Sequence, residues 1–226
     1  MLPSEIINYK NLSKKIIALT AWDSITASIA EEAGADIVLI GDSLAMVALG
    51  YKSTLPVTIS NMIDHTNAVS RGFQKNIDSQ PLVICDMPFL SYQCGEDRAV
   101  EQAGRIIKET QAKGIKLEGA EPEIQKVISR LVRMGIPVMG HLGILPQSVK
   151  GKFKFKGKKI KERNKIFNDA KLLQDKGVFS IVLECVETTL AKQITKSLKI
   201  PTIGIGSSHH CDGQVLVLDD LIGLNE

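Results

Sequence analysis

The 226-residue sequence predicts an α/β protein: one (β/α)8 TIM-barrel domain, residues 1–226. Three observations predict it. Short, β-branched apolar runs recur along the chain, apolar on both alternations, as strands buried on both faces must be. Helix-length segments separate them. No antiparallel signal interrupts the alternation, and seven such units are visible with an eighth in outline. A doubly wound open sheet uses the same units and is the alternative.

In chain order, "LPSEIINYKNL" predicts a helix capped by Ser4 that plugs the barrel bottom. The strands follow in "KKIIALTAWD", "GADIVLIGDS", "QPLVICDMPF", "GIKLEG", "GIPVMGHLG", "GVFSIVLECV" and "IPTIGIGSS". An eighth lies in "QVLVLDDLIG", where a short helix competes. Helices are expected over residues 26–33, 61–71, 96–112, 122–134, 164–176 and 188–198. Gly34, Gly114, Gly135 and Gly177 mark helix ends. Pro81, Pro137 and Pro201 start strands, where a missing N–H does least harm. Arg130, Arg133 and Lys176 are expected in last helical turns, favourable for the dipole.

Composition bounds the function. A 44% hydrophobic chain of this length can bury a sizeable core. Net charge is +3, but residues 150–165, "KGKFKFKGKKIKERNK", hold nine Lys/Arg against Glu162 alone. The remainder is net acidic. One basic segment on an acidic body is not the footprint of a nucleic-acid binder. No apolar run reaches the ~18 residues of a membrane span, and the N-terminus has no signal-peptide layout. Cys85, Cys94, Cys185 and Cys211 have no CxxC spacing and read as reduced thiols of a cytoplasmic protein, Cys85 and Cys185 being inside apolar runs.

Polarity falls at strand ends. "VLIGD" ends in Asp42, "LVICD" in Asp86, "IKLE" in Glu118, "PVMGH" in His141 and "SIVLE" in Glu184, with Lys116 two residues before Glu118. In a parallel barrel these ends share one rim, where active sites of this architecture lie. Each has a bland reading too. A carboxylate after a strand often caps the next helix, Lys116 could simply pair with Glu118, and a lone histidine is often structural. Four crowded carboxylates, however, need cations, and a hard divalent ion such as Mg²⁺ supplies the charge. "GDSL" at Gly41–Leu44 also matches the label of a serine esterase group. Such an enzyme needs Asp-x-x-His near the C-terminus, and Ser207 stands three before His210. Asp42, rather than Ser43, is therefore the chemical residue.

"GDSLAMVALGYKSTLPVTISNMIDHTNAV", "CDMPFLSY", "GIKLEG", "IPVMGHLGILPQSV", "VLECV" and "IPTIGIGSS…CDGQVLV" closely resemble the ketopantoate hydroxymethyltransferase family, from about residue 15 to residue 224. The resemblance implies a barrel of the phosphoenolpyruvate/pyruvate-binding type. It implies hydroxymethyl transfer from 5,10-methylenetetrahydrofolate to 3-methyl-2-oxobutanoate, giving 2-dehydropantoate in pantothenate biosynthesis. It implies Mg²⁺ and a cytoplasmic homo-oligomer, commonly a decamer. By matching position, Asp42, Asp86 and Glu118 are implied metal ligands. Asp42, Ser43, Asp86 and Lys116 are implied substrate contacts, Glu184 the proton acceptor, and His141 an accessory group. Family members continue a few dozen residues past "DDLIGL", so the chain reads as C-terminally shortened. Another Mg²⁺-dependent oxo-acid enzyme, such as a carbon–carbon lyase, and a non-catalytic remnant are the competing classes. The lysine-rich segment reads as a solvated loop, with attraction for a folate polyglutamate tail as the sharper alternative. "GIGSS" reads as a barrel-mouth turn, because His209 breaks the GxGxxG pattern.

Overall fold

The computed structural model describes residues 1–12, 14–148 and 154–224. Eight parallel strands close into a barrel in chain order: β1 Ile16–Thr20, β2 Ile37–Ile40, β3 Leu82–Asp86, β4 Gly114–Glu118, β5 Val138–Gly143, β6 Ser180–Glu184, β7 Thr202–Ile205 and β8 Gly213–Leu216. The pairing of β1 with β8, Ile16 opposite Gly213 through Leu19 opposite Leu216, excludes the open sheet. "QVLVLDDLIG" holds both expected elements, the end of β8 and a short helix, α9 (Leu218–Leu221). The other helices are α1 (Pro3–Asn8), α2 (Ser24–Glu32), α3 (Leu44–Val47), α4 (Ile59–Gly72), α5 (Glu96–Glu109), α6 (Pro122–Arg133), α7 (Ile160–Asp175) and α8 (Thr188–Ser197).

The strand pleat divides the core in two. Ile37 and Leu39 of β2 point into the barrel, beside Leu82 and Ile84 of β3. Val38 and Ile40 point out against the helices, with Val83 and Cys85. Both alternations are therefore buried, each large aliphatic side chain contributing roughly 1.5–3 kcal/mol over an exposed position. The same parity aims the strand ends. Asp86 continues the inward series of Leu82 and Ile84, and His141 continues that of Met139.

Helix α1 does plug the barrel: Ile6 is fully buried among the inward-facing strand residues. Ser4 is not its cap. The helix starts at Pro3, which has no N–H to satisfy, with Leu2 at the cap position and the Glu5 carboxylate accepting the Leu2 N–H. Gly114 begins a strand as expected but does not end the preceding helix, whose last residue is Glu109. It opens β4, where a Cβ would stand 3.0 Å from both Ile84 Cδ1 and the Pro137 carbonyl oxygen, so close strand packing explains it. Arg130 and Arg133 occupy the last turn of α6, whereas Lys176 falls one step later, at the C-cap of α7. Of the lysine-rich segment, residues 150–153 lie outside the described residues. Its second half is ordered rather than loop: α7 begins at Ile160, and Arg163 and Lys165 pair with Glu187 and Asp169 at 2.8 and 2.6 Å.

Cys85 and Cys211 are buried, Cys185 is half-buried and Cys94 is exposed, all as free thiols. Among the described residues no helix is long and apolar enough to cross a membrane.

Candidate active site

A cavity of about 310 Å³ opens at the C-terminal mouth of the barrel. Its wall holds Asp42, Ser43, Asp86, Lys116, Glu118, His141 and Glu184, so all seven residues singled out in the sequence come together. None of the four carboxylates caps a helix; the caps of α6 and α8 are Glu121 and Glu187. The rest of the wall is largely apolar, with Leu39, Val182, Ile205 and Val215 from the strands.

The charged groups form two short chains, Asp42–Asp86–Lys116 and Glu118–His141–Glu184. Lys116 Nζ stands 3.0 Å from Asp86 Oδ1, so its partner is Asp86 rather than Glu118. Asp86 Oδ2 accepts the Asp42 N–H at 3.1 Å. His141 bridges two carboxylates: Nδ1 lies 3.4 Å from Glu118 Oε1, and Nε2 lies 3.2 Å from Glu184 Oε2. Glu184 is the outermost member, its side chain 18% exposed against 2–6% for Asp86, Lys116, Glu118 and His141.

Burial and mutual charge set the protonation states. Burial, then repulsion from Asp86, pushes the Asp42 carboxyl up to about 7. Burial also raises Asp86, against the pull of Lys116. Burial works against the Lys116 charge, but Asp86, Glu118 and Asp42 outweigh it and hold the ammonium protonated. Burial would raise Glu118 as well, yet His141 and Lys116 bring it below the usual glutamate value. For His141, burial and Lys116 oppose the charge, and Glu118 and Glu184 overcome them, raising it to about 9. Lys116 and His141 are thus cations at neutral pH.

The balance of charge leaves a deficit that a cation would offset. Four carboxylates against two cationic side chains leave negative charge in excess. Asp86 Oδ1, Glu118 Oε1 and both His141 ring nitrogens are buried without a hydrogen-bond partner among the described residues, and ion-pair contacts of 3.0–3.4 Å are what they make instead. Among the described residues no three His, Cys, Asp or Glu side chains form a ready metal cage. That donor set suits Mg²⁺, which takes one or two carboxylates plus water and substrate oxygens.

Sequence reasoning passed over Gln147 and Tyr92. The Gln147 side-chain amide donates to Asp42 Oδ2 and to the Met87 carbonyl, both at 2.9 Å. Its oxygen accepts from Tyr92 Oη at 3.0 Å and from Gln93 at 3.2 Å. Its backbone N–H donates to Glu118 Oε2 at 3.2 Å, and Tyr92 Oη accepts the Glu118 N–H at 3.1 Å. A carbonyl can only accept, so Met87 fixes which end of the Gln147 amide is nitrogen. The available signal was a polar residue just beyond the rim of β5, in "ILPQSV".

The family model described as ketopantoate hydroxymethyltransferase matches residues 2–226. The chain belongs to this family. A relative named 3-methyl-2-oxobutanoate hydroxymethyltransferase, from Prochlorococcus marinus (strain MIT 9215), is 64% identical over 227 residues, covering 100% of this chain and 88% of the relative. One of the same name from Synechococcus sp. (strain CC9311) is 55% identical, covering 99% and 83%. A phosphonopyruvate hydrolase in complex with oxalate and Mg²⁺ superposes with a TM-score of 0.71 at 10% identity, covering 99% of this chain and 84% of that one. A 2,3-dimethylmalate lyase of the PEP mutase/isocitrate lyase superfamily gives 0.69 at 14%, covering 98% and 82%. At such identities these two share the barrel fold with the ketopantoate hydroxymethyltransferase family. Membership makes the chain a transferase of hydroxymethyl groups.

Proposed function

We propose that the chain transfers a hydroxymethyl group from 5,10-methylenetetrahydrofolate to 3-methyl-2-oxobutanoate, giving 2-dehydropantoate, with Mg²⁺ as cofactor. The observation that carries this is the buried row Asp42–Asp86–Lys116–Glu118–His141–Glu184 on one cavity wall, in a chain whose relatives carry the 3-methyl-2-oxobutanoate name. Asp42, Asp86 and Glu118 would hold the metal. When bound, Mg²⁺ supplies Lewis acidity to the oxo-acid oxygens.

The protein's own groups do the rest. Lys116, held charged, binds the substrate carboxylate and faces the negative charge that develops on the acid. Ser43 adds a hydrogen bond from the rim; it sits at the cap position of α3 but makes no capping bond. Glu184 takes the single proton from carbon 3. His141 holds Glu184 Oε2, which leaves Oε1 for that proton, and the partial exposure of Glu184 lets the proton pass to water. The carbanion attacks the folate methylene carbon as one of its two C–N bonds breaks; water then replaces the second nitrogen, its oxygen completing the hydroxymethyl group, and tetrahydrofolate leaves with one proton from water and one equivalent to that taken from carbon 3. Apolar Val182, Ile205 and Val215 face the branched alkyl end.

A cytoplasmic homo-oligomer fits the free thiols and the exposed Met46, Leu49, Tyr51 and Leu55 around α3. The deciding measurement is formation of 2-dehydropantoate by the purified chain with and without methylenetetrahydrofolate and with Mg²⁺ removed by chelation. A chain that makes no 2-dehydropantoate with the folate present but cleaves an oxo acid without it would belong to the carbon–carbon lyase class instead.

A further inference from the structure

Among the described residues six threonines are buried, and five of them use their hydroxyl. Thr20 accepts the Leu218 N–H, Thr26 pairs with Asp23, Thr66 donates to the Met62 carbonyl, Thr195 to that of Ala191, and Thr202 to Asp212. Thr54 is the exception: among the described residues its Oγ1 has no hydrogen-bond partner. It sits in the connection between α3 and α4, 4% exposed, and lines the same mouth cavity as Asp42 and Ser43. The other buried hydroxyl without a partner, Ser180 Oγ, opens β6 at the far end of the barrel and lines no part of that cavity.

A hydroxyl that gives up water and gains no partner lowers stability, so a buried one on a ligand cavity is explained by a ligand atom that completes it. The mouth carboxylates include oxygens without a hydrogen-bond partner, yet among the described residues none of them bonds the Thr54 hydroxyl. A 2-oxo acid brings only acceptor oxygens. We propose that Thr54 is a substrate-binding residue whose Oγ1–H donates to an oxygen of the 2-oxo acid, which rests on the function proposed above.

The test compares Thr54→Val, which keeps the shape and loses the hydroxyl, with Thr54→Ser, which keeps the hydroxyl. 3-Methyl-2-oxobutanoate is titrated calorimetrically into each variant and the wild type at saturating Mg²⁺, and thermal unfolding is followed without the acid. Thr54→Val should bind the acid about tenfold more weakly, about 1.4 kcal/mol, with a matching rise in KM. Its Tm should equal or exceed that of the wild type, because a hydroxyl without a partner has been removed. Thr54→Ser should bind within about threefold of wild type. Wild-type affinity in Thr54→Val overturns the proposal, as does a drop in Tm with no change in affinity. If valine prevents folding, Thr54→Ala carries the same comparison. A wild-type chain that binds no oxo acid defeats the functional reading itself, a result separate from either outcome.

Discussion

Gln147 donates to Asp42 across 105 positions of sequence, at 2.9 Å, while its own backbone N–H holds Glu118. One residue beyond β5 thus fixes two carboxylates from β2 and β4, on either side of the Asp86–Lys116 pair. Gln147→Leu should cost about 1–3 kcal/mol of stability, since the Met87 carbonyl and the Gln93 amide lose a buried partner. It should also weaken Mg²⁺ binding by roughly tenfold, because Asp42 is no longer held in one rotamer. Urea unfolding and Mg²⁺ titration measure the two effects, and unchanged Mg²⁺ affinity would show that Asp42 is positioned by other groups.

Glu184→Gln should keep oxo-acid binding and stop deuterium exchange at carbon 3, with kcat falling roughly 10²–10⁴-fold. The amide keeps the shape and the contact with His141 but cannot accept the proton. NMR of 3-methyl-2-oxobutanoate in D₂O with the variant reads this directly. Exchange at the wild-type rate removes Glu184 as the base.

Gly143, the last residue of β5, holds φ at +105°, and a Cβ there would collide with the Glu184 carbonyl oxygen. The next residue, Ile144, donates its N–H to that same oxygen at 2.9 Å. Gly143→Ala therefore combines left-handed strain with a backbone clash and should cost more than about 2 kcal/mol. Activity should fall as well, since relief of the clash moves the Glu184 backbone. Denaturant midpoints compared with the control Gly104→Ala, where a Cβ meets nothing within 4 Å, test this; equal midpoints would show that β5 and β6 can separate cheaply.

Glu187 provides a pH signature away from the mouth. It caps α8, and the Thr189 hydroxyl and N–H, then Arg163, bring its carboxyl down to about 2 from the usual 4.5. A depressed pKa stabilises the fold fully above 4.5, and the contribution is lost as pH falls through about 2. Glu187→Gln should lower stability by about 1 kcal/mol at neutral pH. The gap from wild type should close as pH falls from 4.5 towards 2. A gap that stays constant over that range would mean the ionised form is not what caps the helix.

Much of this molecule was legible along the chain. The apolar runs named seven strands and outlined the eighth because a closed parallel barrel buries both strand faces, and that requirement is local. Strand-end polarity named Asp42, Asp86, Lys116, Glu118, His141 and Glu184 because pleat parity and parallel order together send every such residue to one rim. Local signals were less sure at edges. Ser4 lost the cap to Leu2 because Pro3 needs no capping, and the lysine-rich stretch turned helical where Arg163 and Lys165 found acidic partners.

Closure itself was not in any local pattern, since the same units build an open sheet; only the β1–β8 pairing decides it. The partners of each charge were equally hidden. Lys116 pairs with Asp86, from the neighbouring strand, and not with Glu118 two residues away on its own. Gln147, Tyr92 and Thr54 were ordinary loop residues until folding brought them to the mouth. The sequence by itself determined the barrel units and the side chains that line their ends, because periodicity is a property of neighbours in the chain. Tertiary structure alone decided which atoms hold which charges and which hydroxyl is left without a partner. Those contacts join residues tens of positions apart, and they depend on burial that only the closed barrel creates.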